Sequence, residues 1–343
     1  MKLDRLLYFR KGELGVEEKK ECLTREKILT FIARHGAIIG ICCVLIVFQI
    51  IEPKFMRVDN ILGVLNSSSI LIVMTFGMTM VMAVRGIDLS IAQVADAAGV
   101  VAAMLILSGK NFVVAIVGAM LFGLLIGVVN SVLISYLGVP AIIGTLGMMF
   151  VVRSFELTLT NGAQPQILFT LPAERVKNFF FIGQESAGPI SILIILTIVI
   201  TVGIFLLKER SVFGRHMDAL CGNVRASLLA GIHVRKVFAA TFIISALLAA
   251  WAGIMLVSRS GNAVPRGVET YLTDCFVAVY IGTLISDRNK FNIIGSVIGA
   301  LFVGFTSNFI TLMGMGIAYK NIFNGIFIIL AVALGVLKSR THS

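Results

Sequence analysis

The chain has 343 residues, 58% of them hydrophobic and only 14% charged, with a mean hydropathy of +0.98. Soluble domains carry roughly 25% charged residues, so these figures exclude an ordinary water-soluble enzyme and place the chain in a bilayer. The net charge of +11 does not indicate nucleic acid, because nine of the 29 basic residues lie in the first 35 and most others fall in short segments between apolar runs, which is a membrane-topology pattern.

In chain order, residues 1–32 read as a basic cytoplasmic tail. Leu3, Leu6 and Leu7 stand against a charged remainder in "MKLDRLLYFRKGEL". A short helix lying on the inner leaflet suits that pattern, and a disordered tail suits it equally. No cleavable signal is expected there, because some thirty charge-rich residues precede the first apolar run. A transmembrane domain is predicted over 33–337, followed by a cytoplasmic C-terminal tail, 338–343. A spanning helix needs about 20 mostly apolar residues. Runs near 33–51, 62–84, 91–108, 112–137, 141–160, 189–207, 237–257, 271–286, 293–312 and 321–337 meet or approach that length. The fold class is therefore an all-α polytopic membrane protein of about ten transmembrane helices. With the N-terminus inside, lysine and arginine number 20 in cytoplasmic segments and 8 in outer ones. That bias places both termini and the segment 208–236 in the cytoplasm.

Polar residues inside apolar runs need a reason, since an ionisable group at mid-membrane costs about 2.5–3.5 kcal/mol on insertion scales. Asn66, Ser67, Ser68 and Ser69 open the second run and suit helix packing. Asp88 precedes the third run, where it either caps the helix or faces a pathway. Gln93 and Asp96 follow on one helical face. Gly123/Gly127 and Gly295/Gly299 have the spacing of close helix contacts. Arg153 and Glu156, three residues apart, share a face. They either neutralise one another or line a route and bond solute hydroxyls. Tyr271 and Asp274 repeat that spacing near the outer end of the eighth run, as a cap or an outer gate. The outer segment 161–188 carries "LFTLPAERVKNFFFIG", either an amphipathic interfacial helix or part of a docking surface.

The segment 208–236 is polar and punctuated by glycine. Gly214 and Arg215 begin a turn of helix that Gly222 is expected to break with positive φ. Asn223 is a good N-cap, Val224 and Leu228 share a face beside Leu229, and Gly231 suits a left-handed C′ position. Two short surface helices with an apolar stripe result. A helix that short is marginal in water, so the stripe requires a partner unless the segment is a plain solvated loop. The five cysteines show no CxxC and no histidine pair at ligand spacing, which supports neither a metal site nor a disulfide framework. No phosphate-binding GxxxxGK[ST] loop is present.

Several of these stretches resemble a known family in the same order. "FGR…A..GN..A....GI" (Phe213, Gly214, Arg215, Ala219, Gly222, Asn223, Ala226, Gly231, Ile232) resembles the coupling segment of the ribose/xylose/galactose permeases of bacterial ATP-binding-cassette importers. "GIDLS" (Gly86 to Ser90), "PAIIGTLGMMFVVRS" (Pro140 to Ser154) and "SRSGNAVPRGVETYLTDCFVAVYIG" (Ser258 to Gly282) resemble that family's other blocks. The resemblance covers about residues 50–337. It implies the importer permease fold with cytoplasmic coupling helices, in a bacterial inner membrane.

The implied partners are a cytosolic ATP-binding-cassette ATPase gripping Gly214, Arg215, Gly222, Asn223, Ala226 and Gly231, a second permease copy or paralogue, and a periplasmic or lipid-anchored sugar-binding protein. This chain would bind no cofactor, ATP and Mg being used by the ATPase. Departures from the family pattern include Asp96 in place of a small or apolar residue, Ala92-Gln93 in place of Gly-Ser, and the charged loop "SDRNKFN" (Ser286 to Asn292). The alternative is an ion-coupled secondary transporter of a small polar solute, with Asp96, Glu156 and Asp274 as carriers. A membrane enzyme acting on lipid-linked sugar would need a catalytic cluster, and the sequence offers none.

Overall fold

The computed structural model describes residues 36, 38–286 and 290–341. The tail reading for residues 1–32 and the centre of the charged loop at 287–289 lie outside the described residues. Among them run thirteen α-helices: α1 (Ile38–Ile51), α2 (Val58–Met82), α3 (Ile91–Leu107), α4 (Phe112–Ser131), α5 (Ala141–Leu159), α6 (Ala173–Gln184), α7 (Ile192–Phe205), α8 (Val212–Gly222), α9 (Val224–Leu229), α10 (Val234–Ser260), α11 (Glu269–Ile285), α12 (Ile293–Leu312) and α13 (Ile317–Thr341). Wider π-type turns prolong α4 through Val132–Tyr136 and α7 through Leu206–Arg210.

Local chemistry sets several starts. Asn111 accepts the Val114 amide at 2.8 Å and Asn292 the Gly295 amide at 2.6 Å. Each satisfies an orphan N–H at a helix N-terminus.

Seven helices are long and apolar enough to cross a membrane: α2, α4 and α7 with their turns, α5, α10, α12 and α13. α1, α3 and α11 are shorter, so among the described residues the expected ten is not reached by that measure.

The bundle has a buried centre and an exposed apolar rim. In the apolar stretches of α2 and α10 67% of residues are buried, against 28% in α4 and α5, 17% in α7 and 11% in α13. The rim helices therefore turn their leucines, isoleucines and valines to lipid rather than to the protein. Small residues bring the central helices together. Gly253 of α10 lies so close to α3 that an added Cβ would strike the Ala95 carbonyl oxygen, and Gly99 of α3 faces Val257 and Gly253 less tightly. The Gly123/Gly127 and Gly295/Gly299 pairs sit at the α4–α10 and α11–α12 contacts. Both are close-approach surfaces of the kind their spacing suggests.

At one end of the bundle the segment 161–188 folds over α10. β1 (Gln166–Ile167) pairs antiparallel with β4 (Asn262–Ala263), and β2 (Ser186–Ala187) with β3 (Ile190–Ser191). α6 buries Val176 and Phe179, and Ser258 donates from Oγ to the Phe179 carbonyl at 2.6 Å. This helix is thus seated on the protein by one face, while Phe181 stays exposed.

Candidate functional site

At the opposite end lies the 208–236 insert. Ser211 caps α8 by accepting the Gly214 amide at 3.2 Å, so the helix begins two residues before Gly214. Gly214 is buried because a Cβ there would collide with the Lys208 carbonyl oxygen. Met217 and Leu220 are buried against Met80, Ala83 and Val84 at the end of α2 and Val237 of α10. Ionic contacts brace the same joint. The Lys208 ammonium, its side chain 1% exposed, meets Asp218 at 2.7 Å, and Lys290 reaches the other oxygen of Asp218 at 3.2 Å. Arg85 donates to the Gly222 carbonyl at 3.3 Å. Arg215 is exposed, its guanidinium turned to the Arg210 carbonyl at 3.4 Å.

α9 follows at once. Asn223 Oδ1 accepts the Ala226 amide at 3.1 Å. Gly231 has φ +79°, and the Ile232 amide returns to the Ser227 carbonyl at 3.0 Å, closing the helix in the left-handed manner. Gly222 differs from its expectation. It is the last residue of α8, is absent from the positive-φ glycines, and has open space around a would-be Cβ. The chain reverses at Asn223 instead, in extended conformation. Val224, Ala226, Leu228 and Leu229 all face outward, Leu229 at 91% exposure. The insert is thus rigidly held from above and apolar below.

The remaining candidate residues fall into three places. Asp88 is buried at the start of α3. It accepts the Ser90 amide at 3.0 Å and the Ser90 hydroxyl at 2.6 Å on one oxygen, and the Ser245 hydroxyl at 2.9 Å on the other. Asn130 Nδ2 donates to Ser90 at 3.0 Å, so α3, α4 and α10 meet at this carboxylate.

Gln93, Asp96 and Glu156 are buried in the α3–α5 region. Gln93 Oε1, Asp96 Oδ2 and both Glu156 oxygens lack hydrogen-bond partners. The Arg266 backbone amide lies toward Glu156 but outside hydrogen-bonding geometry. The expected Arg153–Glu156 neutralisation is not made. Arg153 pairs with Glu269 at 3.4 Å, and Glu269 also receives Arg266 at 2.9 Å. The reason is solvation: Glu269 is 34% exposed and remains charged at little cost, whereas Glu156 is fully buried.

Tyr271 and Asp274 of α11 line a cleft with Lys320 of α13. The Asp274 carboxylate binds Lys320 Nζ at 2.7 Å and Asn324 Nδ2 at 2.6 Å. Sequence reasoning missed Lys208, Asp218, Arg85, Lys320 and Asn324. Only Lys208 carried a signal, as a lysine ending an apolar run.

A helical bundle with seven helices long and apolar enough to cross a membrane, buried polar groups and an ordered insert at one end is the build of a multi-pass membrane protein. Residues 60–332 match the family described as "Branched-chain amino acid transport system / permease component", and the chain belongs to that permease family. It is similar to the ribose import permease of Escherichia coli K12, 32% identical over 88% of this chain and 93% of the relative. It also resembles the L-arabinose transporter permease of Azospirillum brasilense, at 30% identity over 90% and 89% of the two chains. The D-allose permease of Escherichia coli K12 is 29% identical over 90% and 93%. No solved structure matches. Membership in a permease family replaces the ion-coupled carrier as the reading of this fold.

Proposed function

We propose that the chain is the inner-membrane permease of an ATP-binding-cassette importer that carries a monosaccharide or a related small polyol. Its relatives' names, for ribose, arabinose and allose, support the solute class. A separate cytosolic ATPase hydrolyses ATP with Mg, a second permease completes the pathway, and a sugar-binding protein delivers solute from outside. Both termini face the cytoplasm.

The observation that carries this reading is the α9 knuckle. A two-turn helix is not stable alone, yet here it is capped at both ends, follows directly on an α8 that Lys208 braces through Asp218, and presents Leu228 and Leu229 to solvent. Such a surface transmits force once an apolar cleft covers it. In vesicles containing the full transporter, sugar uptake is expected to require ATP and to vanish in Leu229→Asp, with permease level and thermal stability unchanged. Uptake without nucleotide, or undiminished ATPase recovery with Leu229→Asp, overturns the proposal.

A further inference from the structure

Away from the insert, α2, α11, α12 and α13 border an open cleft of ≈ 240 Å³. Ser68, Tyr271, Asp274, Ser307, Thr311 and Lys320 line it. Polar walls inside an apolar bundle are costly, and in membrane proteins they accompany solute or ion routes. The groups here are not all spent on the fold. The Ser68 hydroxyl is buried without a partner. Lys320 uses one ammonium hydrogen on Asp274, and an ammonium has three. Thr311 donates to the Ser307 carbonyl at 2.9 Å, and its hydroxyl oxygen still accepts. Donors and acceptors thus alternate around one space, with the Tyr271 ring as an apolar wall.

Charge narrows the ligand. Lys320 and Asp274 form a close pair, largely buried at 16% and 3% side-chain exposure, so the cavity presents no net charge. A zwitterion such as a free amino acid would have to part them, and breaking a buried pair is costly. A neutral solute with many hydroxyls leaves the pair intact and satisfies the ammonium hydrogens that Lys320 does not spend on Asp274. Size agrees, since ≈ 240 Å³ far exceeds the roughly 10–15 Å³ that one water needs on the same measure and leaves room for a small solute.

We propose that this cavity, built within a single protomer, binds one neutral polyhydroxylated solute of monosaccharide size. The inference rests on the importer reading above and specifies where in the chain the solute is held.

Single cysteines placed by Ser307→Cys and Thr311→Cys test it, with Ser108→Cys in the turn after α3 as control. Uptake of D-ribose, L-arabinose and D-allose is first measured in cells carrying the complete transporter. Membranes washed free of soluble binding protein are then labelled with a small polar thiol reagent at rising sugar concentration, using leucine in parallel. The transported sugar is expected to slow labelling at both cavity positions saturably, roughly tenfold at ten times its Kd, and to leave the control unchanged. Labelling unaffected by a sugar that the cells take up overturns the site and leaves the importer reading standing. Slowing by leucine alone, or cavity cysteines that never react, overturns it as well. Uptake of none of the sugars removes the proposed function and this site together.

Discussion

Gly231 and Gly222 look alike in the sequence and differ in the structure. Gly231 occupies the left-handed region at φ +79°, which a β-branched residue enters at about 1–2 kcal/mol. Gly222 ends a helix in ordinary space. Gly231→Val is therefore expected to uncouple ATP hydrolysis from sugar uptake while the permease remains in the membrane. Gly222→Ala should leave coupling intact and stabilise the end of α8 by up to about 1 kcal/mol. Parallel ATPase and uptake assays check both, and equal behaviour of the two variants counts against the local geometry. Asp96 gives a second test at this scale. Its Oδ2 is buried without a partner, so Asp96→Asn is expected to keep stability or raise it by about 1–3 kcal/mol of relieved burial cost, read from the thermal denaturation midpoint. A fall in that midpoint would make the carboxylate a structural necessity.

Elements show why part of the site was readable in advance. The Asn223 cap and the Gly231 terminus are contacts over three to five residues, so sequence spacing alone exposes them. The close-approach glycines at 123/127 and 295/299 were legible for the same reason. What holds α8 in place was not legible, because Arg85, the Lys208–Asp218 pair of the insert and Lys290 come from three separate stretches that meet only after folding. The Arg153–Glu156 expectation failed similarly. Helical spacing made them neighbours, but it carried no information about Glu269 arriving from α11. At this scale the α3–α10 crossing is the sensitive contact. Gly253→Val drives a side chain into the Ala95 carbonyl and is expected to destabilise the bundle by about 1–3 kcal/mol or more, measured as thermal aggregation in detergent. Unchanged stability would mean that the two helices separate readily.

For the whole molecule, composition alone revealed the membrane and nearly all helices, since hydrophobic length dominates over detail. The number of full crossings was harder, as α3 and α11 are 17 residues long and their burial is invisible in a hydropathy run. On the proposed reading, charge bias places the insert on the inner side. An impermeant maleimide applied to right-side-out vesicles is therefore expected to spare Cys221, which lies within the insert, and to modify Ser108→Cys at the other end. After lysis both react. The opposite order of labelling reverses the assigned orientation and separates α9 from any cytosolic ATPase.

The widened turn Leu206–Arg210 joins α7 to α8 without a flexible stretch, and Lys208 sits within it with its ammonium locked to Asp218. α8 is consequently joined to α7 at one end and packed against the end of α2 and against α10 by Met217 and Leu220. On the proposed importer reading, a push on the underside of the insert is expected to reach α7 through this joint and α2 and α10 through their contacts with α8.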